Sequence, residues 1–214
     1  GDFFFIEKPE PYSCVQTIVD LYTKRLVNTY NYSPLWDIQI ICPSKKGECG
    51  TIYLNERIKA VINPPDKTKR ELKIKDITFR EGDKVMQVKN NYDILWEKDD
   101  GEGGAGIFNG DIGFIEEIDH YNQHVIIRFD NKIAMYEYEQ MSEVEPAYAI
   151  TVHKSQGSEF CAVILAINSG AKMLMHRNLL YTAVTRAKNL LVVTGRKQLF
   201  DYMIENTKQI ARYS

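Results

Sequence analysis

The two ends of the chain share one rhythm of apolar and polar residues. Phe3-Phe4-Phe5-Ile6 is a continuous apolar run of the kind that fills a buried strand, and beyond Pro9-Glu10-Pro11 the residues Val15, Ile18, Val19, Tyr22 and Leu26 recur at helical spacing. A second run, Asp37-Ile38-Gln39-Ile40-Ile41-Cys42, leads into a Pro-Ser-Lys-Lys-Gly loop and then into Leu54, Ile58, Val61 and Ile62. That helical pattern must stop at Asn63-Pro64-Pro65, because a residue ahead of proline is pushed out of the helical region. Toward the other end, Ala162 to Ile167 and Leu190 to Thr194 are apolar and rich in branched residues, with a helix predicted over Leu179 to Lys188 between them and another from Lys197 onward. Strand alternating with helix predicts an α/β fold in which helices cover a parallel sheet.

The middle has a different texture. Lys84-Val85-Met86-Gln87-Val88, Ile112-Gly113-Phe114-Ile115, Val125-Ile126-Ile127-Arg128-Phe129 and Ile133-Ala134-Met135-Tyr136 are short and separated by turn residues, which predicts four or five antiparallel strands. Asp99 to Gly106 is so acidic and glycine-rich that a mobile loop is expected there. The pattern therefore predicts an α/β domain made of residues 1–75 and 146–214, interrupted by a small antiparallel β-barrel over 76–145.

Composition narrows the class. With 214 residues, 44% hydrophobic and 26% charged, the chain is neither disordered, collagen-like nor coiled-coil. No apolar run approaches the ~20 residues that span a bilayer, and the opening residues lack the basic start of a signal peptide, so a cytoplasmic protein without a membrane partner is expected. Cys14, Cys42, Cys49 and Cys161 form no Cys-x-x-Cys pair and are expected to be free, buried thiols rather than zinc ligands. The net charge of −2 conceals an uneven distribution: Asp76 to Glu145 carries 17 acidic and 6 basic residues, and the flanks carry the opposite excess. The basic flanks suit a polyanion such as DNA or a nucleotide, or are simply solvated lysines.

Two stretches hold the candidate chemistry. Ala147-Tyr148-Ala149-Ile150-Thr151-Val152-His153-Lys154-Ser155-Gln156-Gly157-Ser158-Glu159-Phe160 sets hydroxyls, a histidine, a lysine and a glycine in a polar turn beside an apolar strand. Leu179-Leu180-Tyr181-Thr182-Ala183-Val184-Thr185-Arg186-Ala187-Lys188 sets Arg186 at the end of a short helix whose leucines and Ala183 form the buried face, so the arginine is expected to project elsewhere. A guanidinium keeps its charge and offers a planar fork to phosphate. These stretches resemble motifs V and VI of superfamily-one helicases. Gly82-Asp83-Lys84-Val85-Met86-Gln87-Val88-Lys89-Asn90-Asn91-Tyr92-Asp93 and Phe108-Asn109-Gly110-Asp111-Ile112-Gly113 resemble the insert of RecD-like helicases, which are similar to the bacterial exodeoxyribonuclease V alpha subunit.

The resemblance implies a second RecA-like domain carrying a Src-homology-3-type barrel, in a motor that moves 5′-to-3′ on single-stranded DNA using ATP and Mg²⁺. It makes Arg186 the arginine finger, Gly157, Glu159 and Gln156 the nucleotide-binding residues, and Thr151, His153, Lys154 and Ser155 the groups facing the DNA backbone. Gln156 stands where other members carry lysine. Cys42 to Asn55 resembles motif IV, with Lys45 and Lys46 as candidate phosphate contacts or solvated lysines. Lys84, Lys89 and Tyr92 form the patch by which the barrel could touch a strand, while Tyr92 and Trp96 are aromatics that either stack on bases or fill the barrel core. His120 and His124 fall in a turn and are expected to be inert.

No Gly-x-x-x-x-Gly-Lys-Ser/Thr phosphate loop occurs in the sequence, and no apolar strand ends in Asp-Glu. The expectation is half a motor: ATP and Mg²⁺ held mainly by an upstream RecA-like domain, single-stranded DNA as partner, a monomer, and no hydrolysis by this chain alone. The alternative is a stand-alone single-stranded DNA-binding or adaptor module that kept the helicase fold.

Overall fold

A computed structural model describes residues 1–168 and 175–206. In chain order the elements are β1 (Asp2–Glu7), α1 (Pro11–Asp20), a π-helical turn (Leu21–Arg25), α2 (Leu26–Tyr30), β2 (Ile38–Cys42) and α3 (Thr51–Ile62). The antiparallel region follows with β3 (Glu71–Ile74), β4 (Ile77–Arg80), β5 (Lys84–Gln87), β6 (Asn91–Lys98), β7 (Gly103–Ile107), β8 (Ile112–Asp119), β9 (His124–Phe129), β10 (Lys132–Glu137) and β11 (Val144–Pro146). The chain then returns through β12 (Ala149–Thr151), β13 (Phe160–Ile167), α4 (Arg177–Val184), β14 (Ala187–Gly195) and α5 (Lys197–Glu205).

Two compact units result: Gly1–Ile58 with the segment from Ala149 on, and Lys59–Tyr148. The division falls earlier than residue 75, because the β3–β4 hairpin puts Leu72 and Phe79 into the core of the second unit. A boundary at 75/76 would cut that hairpin at its turn.

The first unit is a five-stranded parallel RecA-like sheet in the order β1-β14-β13-β2-β12, flanked by helices. Branched residues give its central strands their form: β13 and β2 are buried almost throughout, as strands covered on both faces must be. β1 is a strand as expected, but Phe3 and Phe4 are half-exposed rather than buried, because β1 lies at the sheet edge with β14 on one side. Phe5 packs on Phe200 of α5, with ring centroids 5.2 Å apart.

The second unit is a seven-stranded antiparallel sheet, β11-β5-β8-β9-β10-β6-β7, beside the β3–β4 hairpin. It has more strands than the four or five expected. Val85, Ile94, Ile115, Val125, Ile127 and Tyr136 are among its core residues. Residues 103–107 form β7 rather than the end of a mobile loop, since their backbone pairs with β6 and the Trp96 ring lies where a Cβ on Gly104 would be, 2.3 Å from it. That position, with Lys132 Nζ 4.5 Å from the ring centroid, makes Trp96 a packing residue rather than a stacking platform. Lys84 is buried too, which removes it from the surface patch drawn with Lys89 and Tyr92. Tyr92 stays 69% exposed, edge-on to Phe108.

Cys14, Cys42 and Cys49 are free and buried as expected, whereas Cys161 is only half-buried. Among the described residues no helix is long and apolar enough to cross a membrane.

Candidate functional site

The site is built on the loops and strand ends of the parallel sheet. β12 pairs with β2 so that Thr151 is level with Cys42, and the Val152 N–H donates to the Cys42 carbonyl at 3.0 Å. The loop after β2, holding Lys45 and Lys46, thus leaves the sheet beside the loop that begins at Val152. Both lysines are exposed. Their loop is held from below: a Cβ on Gly50 would lie 2.4–2.5 Å from the carbonyl oxygens of Lys46 and Lys45, so only glycine lets the backbone close there. Burial, reinforced by the neighbouring Cys49, pushes the Cys42 thiol up and keeps it protonated beneath this end of the sheet.

Beyond Thr151, residues His153–Ser155 make one turn of 3-10 helix. His153 is exposed, Lys154 half-buried, and the Lys154 N–H reaches the Thr151 hydroxyl at 3.4 Å. Ser155 departs from expectation. It is fully buried and donates its hydroxyl to the Val152 carbonyl at 2.6 Å, so it closes the turn and offers nothing to a strand outside. Gln156 is exposed. Gly157 follows at φ +81°, a conformation that favours glycine, in open space, and its N–H meets no acceptor among the described residues.

The chain then runs to the opposite end of the sheet. Ala162 is level with Ile38 at the start of β2, four residues of strand or ~13 Å from the level of Thr151. Phe160, Glu159 and Arg186 lie further in that direction, because Phe160 pairs with Ala187 and its N–H donates to the Arg186 carbonyl at 2.8 Å. The candidates therefore fall into two groups. Lys45, Lys46 and Thr151 gather at the C-terminal end of β2 and β12, with His153 and Lys154 in the next turn. Glu159 and Arg186 gather where β13 and β14 begin.

Arg186 follows the last turn of α4, whose Leu179, Leu180 and Ala183 are buried. Its guanidinium lies at the end of the helix, on Thr182 and Thr185 rather than among the buried leucines. Nε donates to the Thr182 carbonyl at 3.1 Å and an Nη to the Thr185 hydroxyl at 3.1 Å, so the cation is folded onto the helix's C-terminal carbonyl end, where positive charge is favoured. Glu159 forms a long ion pair with Lys188 at 3.9 Å, and both side chains are more than half-exposed. Such a pair is weak in water. Lys188 was not among the sequence candidates, nor was Asn55, whose carboxamide hydrogen-bonds the backbone of Ala149.

An arginine, a lysine and a carboxylate around a strand start fit the phosphates and ribose hydroxyls of a nucleotide. Among the described residues no cluster of three or more His, Cys, Asp or Glu is placed to hold a metal.

Comparison with known proteins bears on the family of the chain. Residues 54–129 match the family described as the ATP-dependent RecD-like DNA helicase SH3 domain, and residues 146–194 match the UvrD-like helicase C-terminal domain. An uncharacterized protein of Methanocaldococcus jannaschii is 38% identical over 196 residues, 82% of this chain and 16% of that one. The ATP-dependent RecD2 DNA helicase of Deinococcus radiodurans is 30% identical over 158 residues, 74% of this chain and 20% of its own. The RecBCD enzyme subunit RecD of Buchnera aphidicola is 27% identical over 164 residues, 76% and 25% respectively. The chain thus spans a quarter or less of the length of these relatives. Among solved structures, a Bacteroides Pif1 helicase in complex with ADP-AlF3 and ssDNA aligns with TM-score 0.48 and 15% identity, over 91% of this chain and 53% of that one. By its SH3 domain, its helicase C-terminal domain and these relatives, the chain belongs to the C-terminal region of the RecD-like helicases.

Proposed function

We propose that the chain is the C-terminal motor half of an ATP-dependent helicase that moves 5′-to-3′ along single-stranded DNA. The observation that carries this reading is the division of the polar residues between two ends of one sheet. At one end Lys45, Lys46, Thr151, His153 and Lys154 offer cations, hydroxyls and backbone groups. Groups of this kind hold a phosphodiester chain without reading its sequence, as a motor on any strand requires.

At the other end Arg186 acts as the arginine finger and Glu159 faces the nucleotide ribose; Gly157, in the turn that follows Thr151, gives its N–H to phosphate, with Gln156 beside it. ATP is held mainly by an upstream RecA-like domain, and Mg²⁺ bound there supplies neutralising charge on the phosphates. As water attacks the γ-phosphorus and the bond to the bridging oxygen breaks, leaving that oxygen on ADP, negative charge spreads over the equatorial oxygens, and a positioned guanidinium stabilises that charge more than it stabilises bound ATP. The protein works as a monomer with the two RecA-like domains closing on the nucleotide.

The test is ATP turnover by this chain with and without single-stranded DNA, alongside a strand-binding titration in low salt. No turnover, with weak and salt-sensitive binding, is expected, since the sequence has no phosphate loop. Robust DNA-stimulated turnover would overturn the two-domain reading. In the same titration, Thr151→Ala combined with Lys154→Ala is expected to weaken binding and lower the salt slope by about one, the share of one cationic phosphate contact. An unchanged slope would remove Lys154 from the track.

A further inference from the structure

β12 is three residues long and lies at the sheet edge, so among the described residues only β2 pairs with it. Backbone groups of successive strand residues turn to alternate sides. The Val152 N–H goes to Cys42 of β2, so Ala149 and Thr151 turn their N–H and C=O groups outward. Ala149 is buried, and its outward groups would be left without partners. Asn55 takes both: its Nδ2 donates to the Ala149 carbonyl at 2.9 Å, and the Ala149 N–H donates to its Oδ1 at 2.9 Å. One carboxamide thereby stands in for one residue of a neighbouring strand. Thr151, two residues on along the same edge, is left with its backbone groups and hydroxyl at the mouth of the site.

The helix that carries Asn55 also holds the other part of the track. At the start of α3 the Thr51 N–H donates to the Ser44 carbonyl at 3.2 Å and the Ile52 N–H to the Lys45 carbonyl at 3.1 Å. Leu54 and Ile58 fix the same helix in the core. One buried rod therefore sets the height of the Lys45-Lys46 loop and of Thr151 relative to each other.

We infer that Asn55 is a positioning residue for DNA binding: it touches no strand itself and acts through Thr151, whose distance from Lys45 and Lys46 it fixes. The inference rests on the reading of Thr151 as a backbone contact. Phosphates repeat at a set spacing along a strand, so contacts from two separate segments act together only if their separation is already right; pre-organisation removes the cost of arranging them at binding.

A double-mutant cycle on the chain tests this, with affinity for a fluorescein-labelled oligothymidylate as the readout and thermal melting as the folding control. Asn55→Leu, close in shape and without either hydrogen bond, is expected to weaken binding about fivefold in the wild-type background and less than about twofold when Thr151→Ala is already present. Asn55→Asp keeps the acceptor for the Ala149 N–H but faces the Ala149 carbonyl with a carboxylate, and it is expected to show the same non-additivity; it carries the cycle if the leucine variant does not fold. A merely structural asparagine would weaken binding by the same factor in both backgrounds, and that result, or no weakening by either Asn55 variant, overturns the inference. If Thr151→Ala itself leaves affinity unchanged, the failure lies instead in the reading of Thr151.

Discussion

Replacing Arg186 by alanine, in this chain joined to the upstream motor domain proposed above, is expected to lower DNA-stimulated ATP hydrolysis by roughly 10³- to 10⁵-fold, the range found for arginine fingers in phosphoryl transfer. The resting position of the side chain explains why the effect falls on the reaction. Its two hydrogen bonds, to the Thr182 carbonyl and the Thr185 hydroxyl, join it to neutral groups on its own helix end. Each already carries the charge of the guanidinium and contributes about 1.5–3 kcal/mol net, whereas bonds from the same fork to a phosphate oxygen are charged on both sides and stronger still. The swing outward is favourable only when phosphate is present, and most favourable when charge has spread over it. Alanine has nothing to swing. Single-strand affinity should stay within about twofold, because Thr151 lies at the opposite end of the sheet, more than ~13 Å away along the strands. Arg186→Lys should restore little, since an ammonium on a flexible stem cannot present the planar fork. Turnover within tenfold of wild type in Arg186→Ala would remove Arg186 from the reaction.

The parallel sheet was legible because its central strands are buried on both faces, and such strands announce themselves as unbroken branched runs, as in Ala162 to Ile167. The antiparallel unit is less legible for the complementary reason. β6 alternates Ile94 and Trp96 with Asp93, Leu95 and Glu97, a weak signal, and β7 contains three glycines whose place in the sheet comes from backbone pairing with β6 and from the Trp96 ring against Gly104. Neither source of order is written in the local pattern.

The candidate residues were legible through their motifs, but their states were not. Nothing in Thr-Val-His-Lys-Ser says that Ser155 turns inward while His153 stays exposed; that follows from the 3-10 turn and its hydrogen bond to Val152. Asn55 was invisible for a plainer reason, since the backbone it holds lies 94 residues further along the chain.

Asp83 is the residue whose loss should cost the second unit most. Its position within Gly82-Asp83-Lys84-Val85 reads as part of a motif, and the structure gives the physical reason for an aspartate there. It is 3% exposed, and its two carboxylate oxygens accept from Lys59 Nζ at 2.7 Å, Asn63 Nδ2 at 2.8 Å, the Arg80 N–H at 2.8 Å and the Tyr148 hydroxyl at 3.0 Å. Lys59 also donates to the Thr78 carbonyl. These donors come from the end of α3, from β4 and from the residue that closes the unit, so one carboxylate ties its first and last residues to the hairpin. Asp83→Ala leaves a mostly buried ammonium and three other donors facing a void. Removing one partner of a buried pair typically costs about 3–5 kcal/mol, and the Lys59 side chain, 18% exposed, recovers only part of that through water. Asp83→Asn keeps the shape and one acceptor, loses the charge opposite Lys59, and should cost less than the alanine change. Trp36 and Trp96 are the chain's two tryptophans and fall in different units, so urea unfolding of a Trp36→Phe background reports on the second unit through Trp96 alone. A loss below about 1 kcal/mol in Asp83→Ala would mean that the network is solvated like a surface ion pair, and the carboxylate would then be one hydrogen-bonding group among many rather than the tie that closes the unit.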